Sequence, residues 1–431
     1  MENKVKQILL ISILLILIFP FLQASFLFFK ERDLGGAIEE VERERFRIEN
    51  WFNTSFQKNK ELYLNSNFGF RKTFIRVHNQ IDFNLFKKSN AKGVVIGKDN
   101  YLYEYDYISA YYGVDFLGYE RIEDRIIRLK IIQDSLQSWG KNLIVIFAPS
   151  KANFFPEYIP DRFKITKSTT NYEVFSDKVK EYQINHIDFN KYYKENKNKT
   201  EYPLYPQYGI HWSDYGSCLS ADSIIRYIEK LQNIDMPNFK IIDYNYTKPN
   251  SRDFDILDGL NIFSKLKTYQ LAYPVIEYED DKGKVKPSSI VISDSFYWGM
   301  FEFDLITKAF SRNDFWYYNY EVFLANYGGK YYRFDYNLKK EIENTDLFII
   351  MGTEPSLKDL GWGIIDQLYD VITEKPTIQS SEYFLREKHI RDNIKSYPEW
   401  EAVIEKQAIE NNISLDSAIT NTIIWLIENG E

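Results

Sequence analysis

An α/β fold built on a mostly parallel sheet is what three short apolar runs predict for this 431-residue chain. Asn142–Ala148 (NLIVIFA) is stopped by Pro149, Ser289–Ile292 (SIVI) leads into Ser293, Asp294 and Ser295, and Leu347–Met351 (LFIIM) leads into Gly352 and Thr353. Past a polar entry residue in the first two, each run is continuously apolar rather than alternating, as strands covered on both faces are. Helical patterns lie between them, and that alternation marks parallel strands joined by crossover helices. Ligands in such sheets gather at the carboxyl ends of the strands, so the residues just after these runs matter most.

Taken in order, the chain begins with an address. Ile8–Phe29 is 22 residues without a charge, which as a helix is about 33 Å long and matches the hydrocarbon core of a bilayer. Lys4 and Lys6 precede it, and Leu22-Gln23-Ala24-Ser25 is a poor cleavage site, so an uncleaved signal anchor is expected rather than a removed leader. Lys30 and Arg32 balance Lys4 and Lys6, so flanking charge does not set the orientation. The short N-terminal tail favours an extracytoplasmic main domain. A charged stretch (AIEEVERERFRIENWF) then reads as a helical stalk, ending in a docking segment at Phe68-Gly69-Phe70-Arg71.

The α/β region follows. Ile122, Ile126, Leu129, Ile132 and Leu136 repeat at helical spacing up to Trp139, and Gly140 stands where a C-terminal cap belongs. A second helix, with Cys218, Ala221, Ile224, Ile225 and Ile228 on its apolar face, is expected from the N-cap Ser213 to about Leu231. From Thr377 the texture changes to charged helix, with Pro398 as a break and Ser414 as an N-cap before Leu415–Glu428. The expected division is an anchor at 1–30, a stalk and docking segment at 31–90, an α/β domain at 91–375, and a helical appendage at 376–431.

Composition narrows the function classes. A formal net charge of -8 and a pI near 5.4, with Lys and Arg scattered among acids, argue against nucleic acid as a partner. A single cysteine, Cys218, excludes an intrachain disulfide and any multi-cysteine metal site. Neither a phosphate-binding glycine loop nor a paired-histidine metal motif is present, so no cofactor and no metal are expected. Aromatics make up 17% of residues and concentrate at Tyr101–Tyr112 and Phe315–Tyr336, either as packing or as a surface on which sugars stack.

Only four histidines occur, at 78, 186, 211 and 389, which makes imidazole chemistry easy to localise. His211 lies on a loop just before a helix, neutral near pH 7 and reachable, as a general base must be. Ser295 stands just past a buried strand, the strand-exit position where nucleophiles are presented. Each signal alone is generic: a loop histidine beside Trp212 is more often structural, and Asp-Ser commonly ends a strand.

Their combination is less generic. His211-Trp212 before a helix, then Asp294-Ser295-Phe296 after a strand, resembles the permuted SGNH arrangement of the alginate O-acetyltransferase (AlgJ/AlgX-like) domains. Val95–Tyr103 is similar to that family's Gly-Lys-Asp opening signature, Ala148-Pro149-Ser150-Lys151-Ala152 to its Pro-x-Lys-Ala motif, and Asp346–Glu354 to its late strand bearing a glutamate. The resemblance, from about Phe68 to Glu354, implies an SGNH-hydrolase-like sheet, a Ser295 acyl-enzyme with His211 as base, and a membrane-bound O-acyltransferase as acyl donor. It also implies a polysaccharide acceptor, a place in exopolysaccharide biosynthesis, and a periplasmic location. Lys151, Asp294 and Trp212 become candidate substrate contacts, with Lys151 suited to an acidic sugar or a developing oxyanion.

Two positions depart from the pattern. Gly209 stands where an aspartate would orient His211, and Ser293 where a glycine precedes Asp-Ser. Asp214 is the first candidate for the missing acid, with Asp188 and Asp294 as others; losing that acid slows such catalysis without removing nucleophile or base. Three alternatives stay open: an esterase with water as acceptor, a catalytically silent polysaccharide-binding or assembly protein, and a structural envelope protein.

Overall fold

The computed structural model of the chain describes residues 2–36, 41, 43–325, 327–374, 381–411 and 415–429. It forms two compact units, one of Met1–Tyr105, Pro206–Ile210 and Lys248–Tyr269, the other of Asp106–Tyr205, His211–Thr247 and Gln270–Glu431.

The first unit carries the apolar helix Glu2–Phe26. Its Lys4–Phe26 stretch is long and apolar enough to cross a membrane, with 6% of its most apolar window buried. The helix ends at Leu27, whose φ of 50° leaves the helical region, so Leu27–Phe29 of the expected span lie outside it. The exit is fastened: the Gln23 side chain donates to the Phe29 carbonyl at 2.7 Å and accepts its amide at 3.1 Å. The Phe68–Phe70 segment packs against this end, with Phe70 stacked on Phe19 at 5.1 Å. Approach is so close that a Cβ at Gly69 would lie 2.1 Å from the Pro20 carbonyl oxygen, which only glycine permits. In the stalk, 43–47 is not helical, and helix begins at Ile48; Arg43 and Arg47 would repel each other one turn apart. The short strands β1 (Val94–Ile96) and β2 (Leu102–Glu104) pair antiparallel in the same unit.

The second unit is the α/β layer structure. Its strands are β3 (Asn142–Phe147), β4 (His186–Asp188), β5 (Phe239–Thr247), β6 (Leu271–Tyr278), β7 (Ser288–Ser293), β8 (Arg312–Tyr317), β9 (Glu321–Leu324), β10 (Tyr327–Tyr332) and β11 (Leu347–Gly352). Seven form one sheet in the order β10-β9-β8-β7-β11-β3-β4, while β5 and β6 make a separate hairpin. Strands β8, β7, β11, β3 and β4 run parallel, and β9 and β10 continue antiparallel. The three apolar runs read from the sequence are thus the sheet's centre, β7-β11-β3. Register places Ser293, Met351 and Ile146 across from one another, so the carboxyl ends line up along one edge.

Burial explains why these residues take these elements. Tyr119–Ser138 is a helix that hides Ile122, Ile126, Leu129, Ile132 and Leu136 completely against Leu143, Val145 and Phe348, each such side chain contributing roughly 1.5–3 kcal/mol. It stops before Gly140, whose φ is 75°. Helix Asp214–Gln232 starts where expected, the Ser213 hydroxyl accepting the Gly216 amide at 3.1 Å. Helices Ser381–Ser396, Pro398–Glu410 and Leu415–Asn429 share a small core of Ile390, Ile394, Ile404, Ile419 and Ile423. Pro398 opens its helix, as expected of a break; Ser414 lies outside the described residues. The first of these helices docks by His389, whose ring stands 4.3 Å from that of Tyr332 and 4.4 Å from that of Phe334.

Candidate active site

The strand-exit serine is held by its neighbour. Asp294 follows β7 and is 3% exposed. One carboxylate oxygen accepts the Phe296 amide at 3.1 Å, and the other accepts the Thr353 amide at 3.0 Å and the hydroxyls of Thr353 and Ser356 at 2.8 Å each. Those bonds pin the chain after β7 to the chain after β11, so Ser295 opens a short 3-10 turn in a set place. Ser295 itself is half-buried.

His211 arrives from a different part of the chain. It sits on the loop before helix Asp214–Gln232, and that loop is fixed by the Ser213 amide donating to the Leu204 carbonyl and the Ser213 hydroxyl to that of Pro203. The imidazole Nε2 lies 2.8 Å from Ser295 Oγ, and its ring centroid is 5.0 Å from that of Phe296. Acceptance of the hydroxyl proton at Nε2 requires the neutral ring to carry its own proton on Nδ1. A serine hydroxyl and an imidazole 84 residues apart in sequence are within one hydrogen bond, an arrangement that can activate a serine.

The other expected residues are placed as follows. Trp212 is buried among Phe189, Tyr193 and Phe296, so it supports the histidine loop from within. Lys151, in the turn after β3, is fully buried. Asp294 is engaged as described above. All three are buried rather than on an open surface. Asp214 is the first residue of its helix and half-buried. Asp188 is committed elsewhere, accepting from the Tyr172 hydroxyl at 3.0 Å, the Ser176 hydroxyl at 3.1 Å and the Lys191 amide at 2.9 Å.

Gly209 has a steric reason in its own unit. A Cβ there would lie 2.9 Å from the Asp253 carbonyl oxygen and 3.0 Å from Asp255 Oδ1. Asp255 Oδ1 accepts the Ile210 amide at 3.0 Å and the Ile256 amide at 2.7 Å. The carboxylate of Asp255 therefore fills the space that a side chain at 209 would take. At Ser293, the other departure, the carbonyl accepts the Tyr318 amide at 2.9 Å.

Residues 94–267 match the family described as SGNH hydrolase-like domain, acetyltransferase AlgX. That stretch of the chain is similar to the AlgJ/AlgX-like SGNH domains. The matched stretch includes Lys151 and His211 and ends before Ser295. The chain is 21% identical over 203 residues to a probable alginate O-acetylase AlgJ of Pseudomonas putida, covering 47% of this chain and 51% of that protein; it thus spans about half the length of this curated relative. Among solved structures, the O-acetyltransferase domain of Pseudomonas putida AlgJ is 14% identical with a TM-score of 0.42, over 65% of this chain and 99% of that one. Pseudomonas aeruginosa AlgX is 13% identical with a TM-score of 0.39, over 63% and 67%.

Tyr318 was not singled out from the sequence, and Glu354 was named there only as the glutamate of the Asp346–Glu354 stretch. Tyr318, at the β8 exit, donates its amide to the Ser293 carbonyl at 2.9 Å, and burial followed by the charge of Asp294 pushes its phenol well above the usual range. It was hidden inside an aromatic run that reads as packing; the signal available was the polar Asn319 that breaks the run. Glu354, just past β11, is 5% exposed and accepts from Asn190 at 2.6 Å and Asn153 at 2.9 Å. Burial pushes its carboxyl up to about 7, against the pull of the Asn190 amide and other donors.

Proposed function

We propose that this protein is a membrane-anchored, extracytoplasmic serine acyltransferase that O-acetylates a cell-surface polysaccharide. The observation that carries the reading is the 2.8 Å separation of His211 Nε2 and Ser295 Oγ at the carboxyl edge of the sheet. The family match over residues 94–267 supports the reaction class, and the apolar helix supports the anchor.

The chemistry runs in two halves. As Ser295 Oγ attacks the acetyl carbonyl of a donor, its proton passes to His211 Nε2, and the donor's leaving atom takes that proton as its bond to the acetyl group breaks. A sugar hydroxyl then gives its proton to His211 while its oxygen attacks acetyl-Ser295, and Oγ leaves with the proton. A membrane-bound O-acyltransferase is the donor that such an anchored protein would meet. Asp294 and Trp212 hold the serine and histidine segments, Lys151 is the buried cation after β3 suited to a developing oxyanion, and Asp214 is the candidate for orienting His211. Binding without turnover is a second reading, and the glycine at 209 is what favours it.

The test is acetyl release from para-nitrophenyl acetate by the full chain in detergent, comparing wild type, Ser295→Ala and His211→Ala. Release lost in both variants is the expected result; equal rates in all three would move the protein to the binding reading.

A further inference from the structure

Beside the serine the second unit opens a groove of about 520 Å³ lined by Tyr317, Tyr318, Tyr320, Glu321, Trp362 and Lys388. Tyr318 ties it to the serine strand, its amide donating at 2.9 Å to the carbonyl of Ser293, two residues before Ser295. The Tyr318 and Trp362 rings meet edge to face at 5.1 Å, and the Lys388 ammonium stands 4.9 Å from the centre of the Tyr320 ring. Aromatic faces with one carboxylate and one ammonium suit a pyranose ring, whose C–H face stacks while its hydroxyls donate to the acid and accept from the base.

The backbone points the same way. Tyr318 and Asn319, each with φ of 51°, form the turn from β8 to β9, closed by the Tyr320 amide on the Tyr317 carbonyl at 3.0 Å. Two consecutive left-handed residues make a type I′ turn, a place for Asn and Gly where a bulky ring is strained. Trp362, across the groove, is also left-handed at φ 46°. Asn319, fully buried, ties the two together by donating to the Trp362 carbonyl at 3.0 Å. Strain kept at two aromatic positions and fastened by a buried amide is found where the side chains serve a site.

We propose that this groove is the acceptor subsite, holding a pyranose of the glycan on Trp362 and Tyr318 so that a neighbouring hydroxyl meets acetyl-Ser295. The choice of a glycan rests on the acyltransfer reading above. Lys388 makes the C-terminal helices part of the site, because they supply one wall of it.

The test uses the full chain in detergent, in the Ser295→Ala background so that nothing turns over. The probe is a set of hexasaccharides cut from the producing cell's surface polysaccharide after mild alkaline removal of its esters. Calorimetry is expected to show saturable binding that weakens about tenfold in Trp362→Ala, as truncation of a central aromatic anchor ordinarily does, and less in Lys388→Ala. Lys388 is exposed on a helix with its own core, so this variant reports even where Trp362→Ala fails to fold. Absence of binding, or equal binding in both variants, overturns the groove. Binding that depends on Trp362, in a protein without Ser295-dependent acetyl release, keeps the groove and refutes the acyltransfer reading.

Discussion

Strands β7 and β8 are neighbours in the sheet, with Ser293 opposite Tyr317, yet their carboxyl ends are held in opposite ways. After β7 the backbone is relaxed, with Asp294 at φ -76°, and the geometry comes from hydrogen bonds onto one buried carboxylate. After β8 the backbone itself is strained at Tyr318, in a left-handed turn that the Asn319 amide fastens to the Trp362 carbonyl. The first device sets a reacting oxygen in place without strain. The second holds a large side chain where the turn alone would choose glycine. A nucleophile needs fixed position, whereas a subsite wall needs a particular ring in a particular place.

The largest expected effect sharpens the first half of the comparison. Ser295→Ala should lower acetyl turnover by about a thousandfold or more while the melting temperature stays put, since the half-buried hydroxyl contributes little packing; retained labelling by a serine-reactive phosphonate would count against it. Asp294→Ala should be the most destabilising change at this edge, about 3 kcal/mol by urea unfolding, because it strands the buried Thr353 amide and two hydroxyls. A loss under about 0.5 kcal/mol would remove the claim that this carboxylate builds the β7 exit.

Glu354 supplies a pH signature for the same edge. Its folded carboxyl is lifted to about 7 from the ordinary 4.5, so the folded protein binds more protons than the unfolded chain between those values. Its contribution is therefore fully present below about pH 4.5, declines as pH rises towards 7, and is flat above. Wild-type stability should fall across that window by up to about 3 kcal/mol relative to Glu354→Gln; parallel pH profiles would contradict the assignment. The smallest effect breaks the comparison on its β8 side. Tyr318→Asn should raise stability by about 0.5–1 kcal/mol, since asparagine tolerates the left-handed conformation, while lowering turnover. Lower stability would show that the ring is there for packing.

Much of this edge was legible beforehand. Asn142–Phe147, Ser288–Ser293 and Leu347–Gly352 form strands within a residue of the apolar runs, because central parallel strands are buried on both faces and say so in composition. Ser213 and Gly140 mark helix ends through local chemistry. Ser295 and His211 were visible as motifs, and the structure brings them together. The three-residue β4 carries no periodicity long enough to read. The aromatic run from Phe315 to Tyr336 became strands and turns at the sheet's edge, where half-buried positions lack a clean pattern.

Local chemistry is what a sequence writes directly, so the apolar N-terminal helix, the central strands, the capped helices and the two sequence motifs were determined by the chain's own order of residues. The 2.8 Å meeting of His211 with Ser295, the fourfold use of Asp294, the fit of Gly209 against Asp255, and the reach of Lys388 to a groove beside Tyr318 belong to tertiary structure. Each depends on register and packing between segments far apart in sequence, and no local pattern encodes which distant partner a side chain will meet.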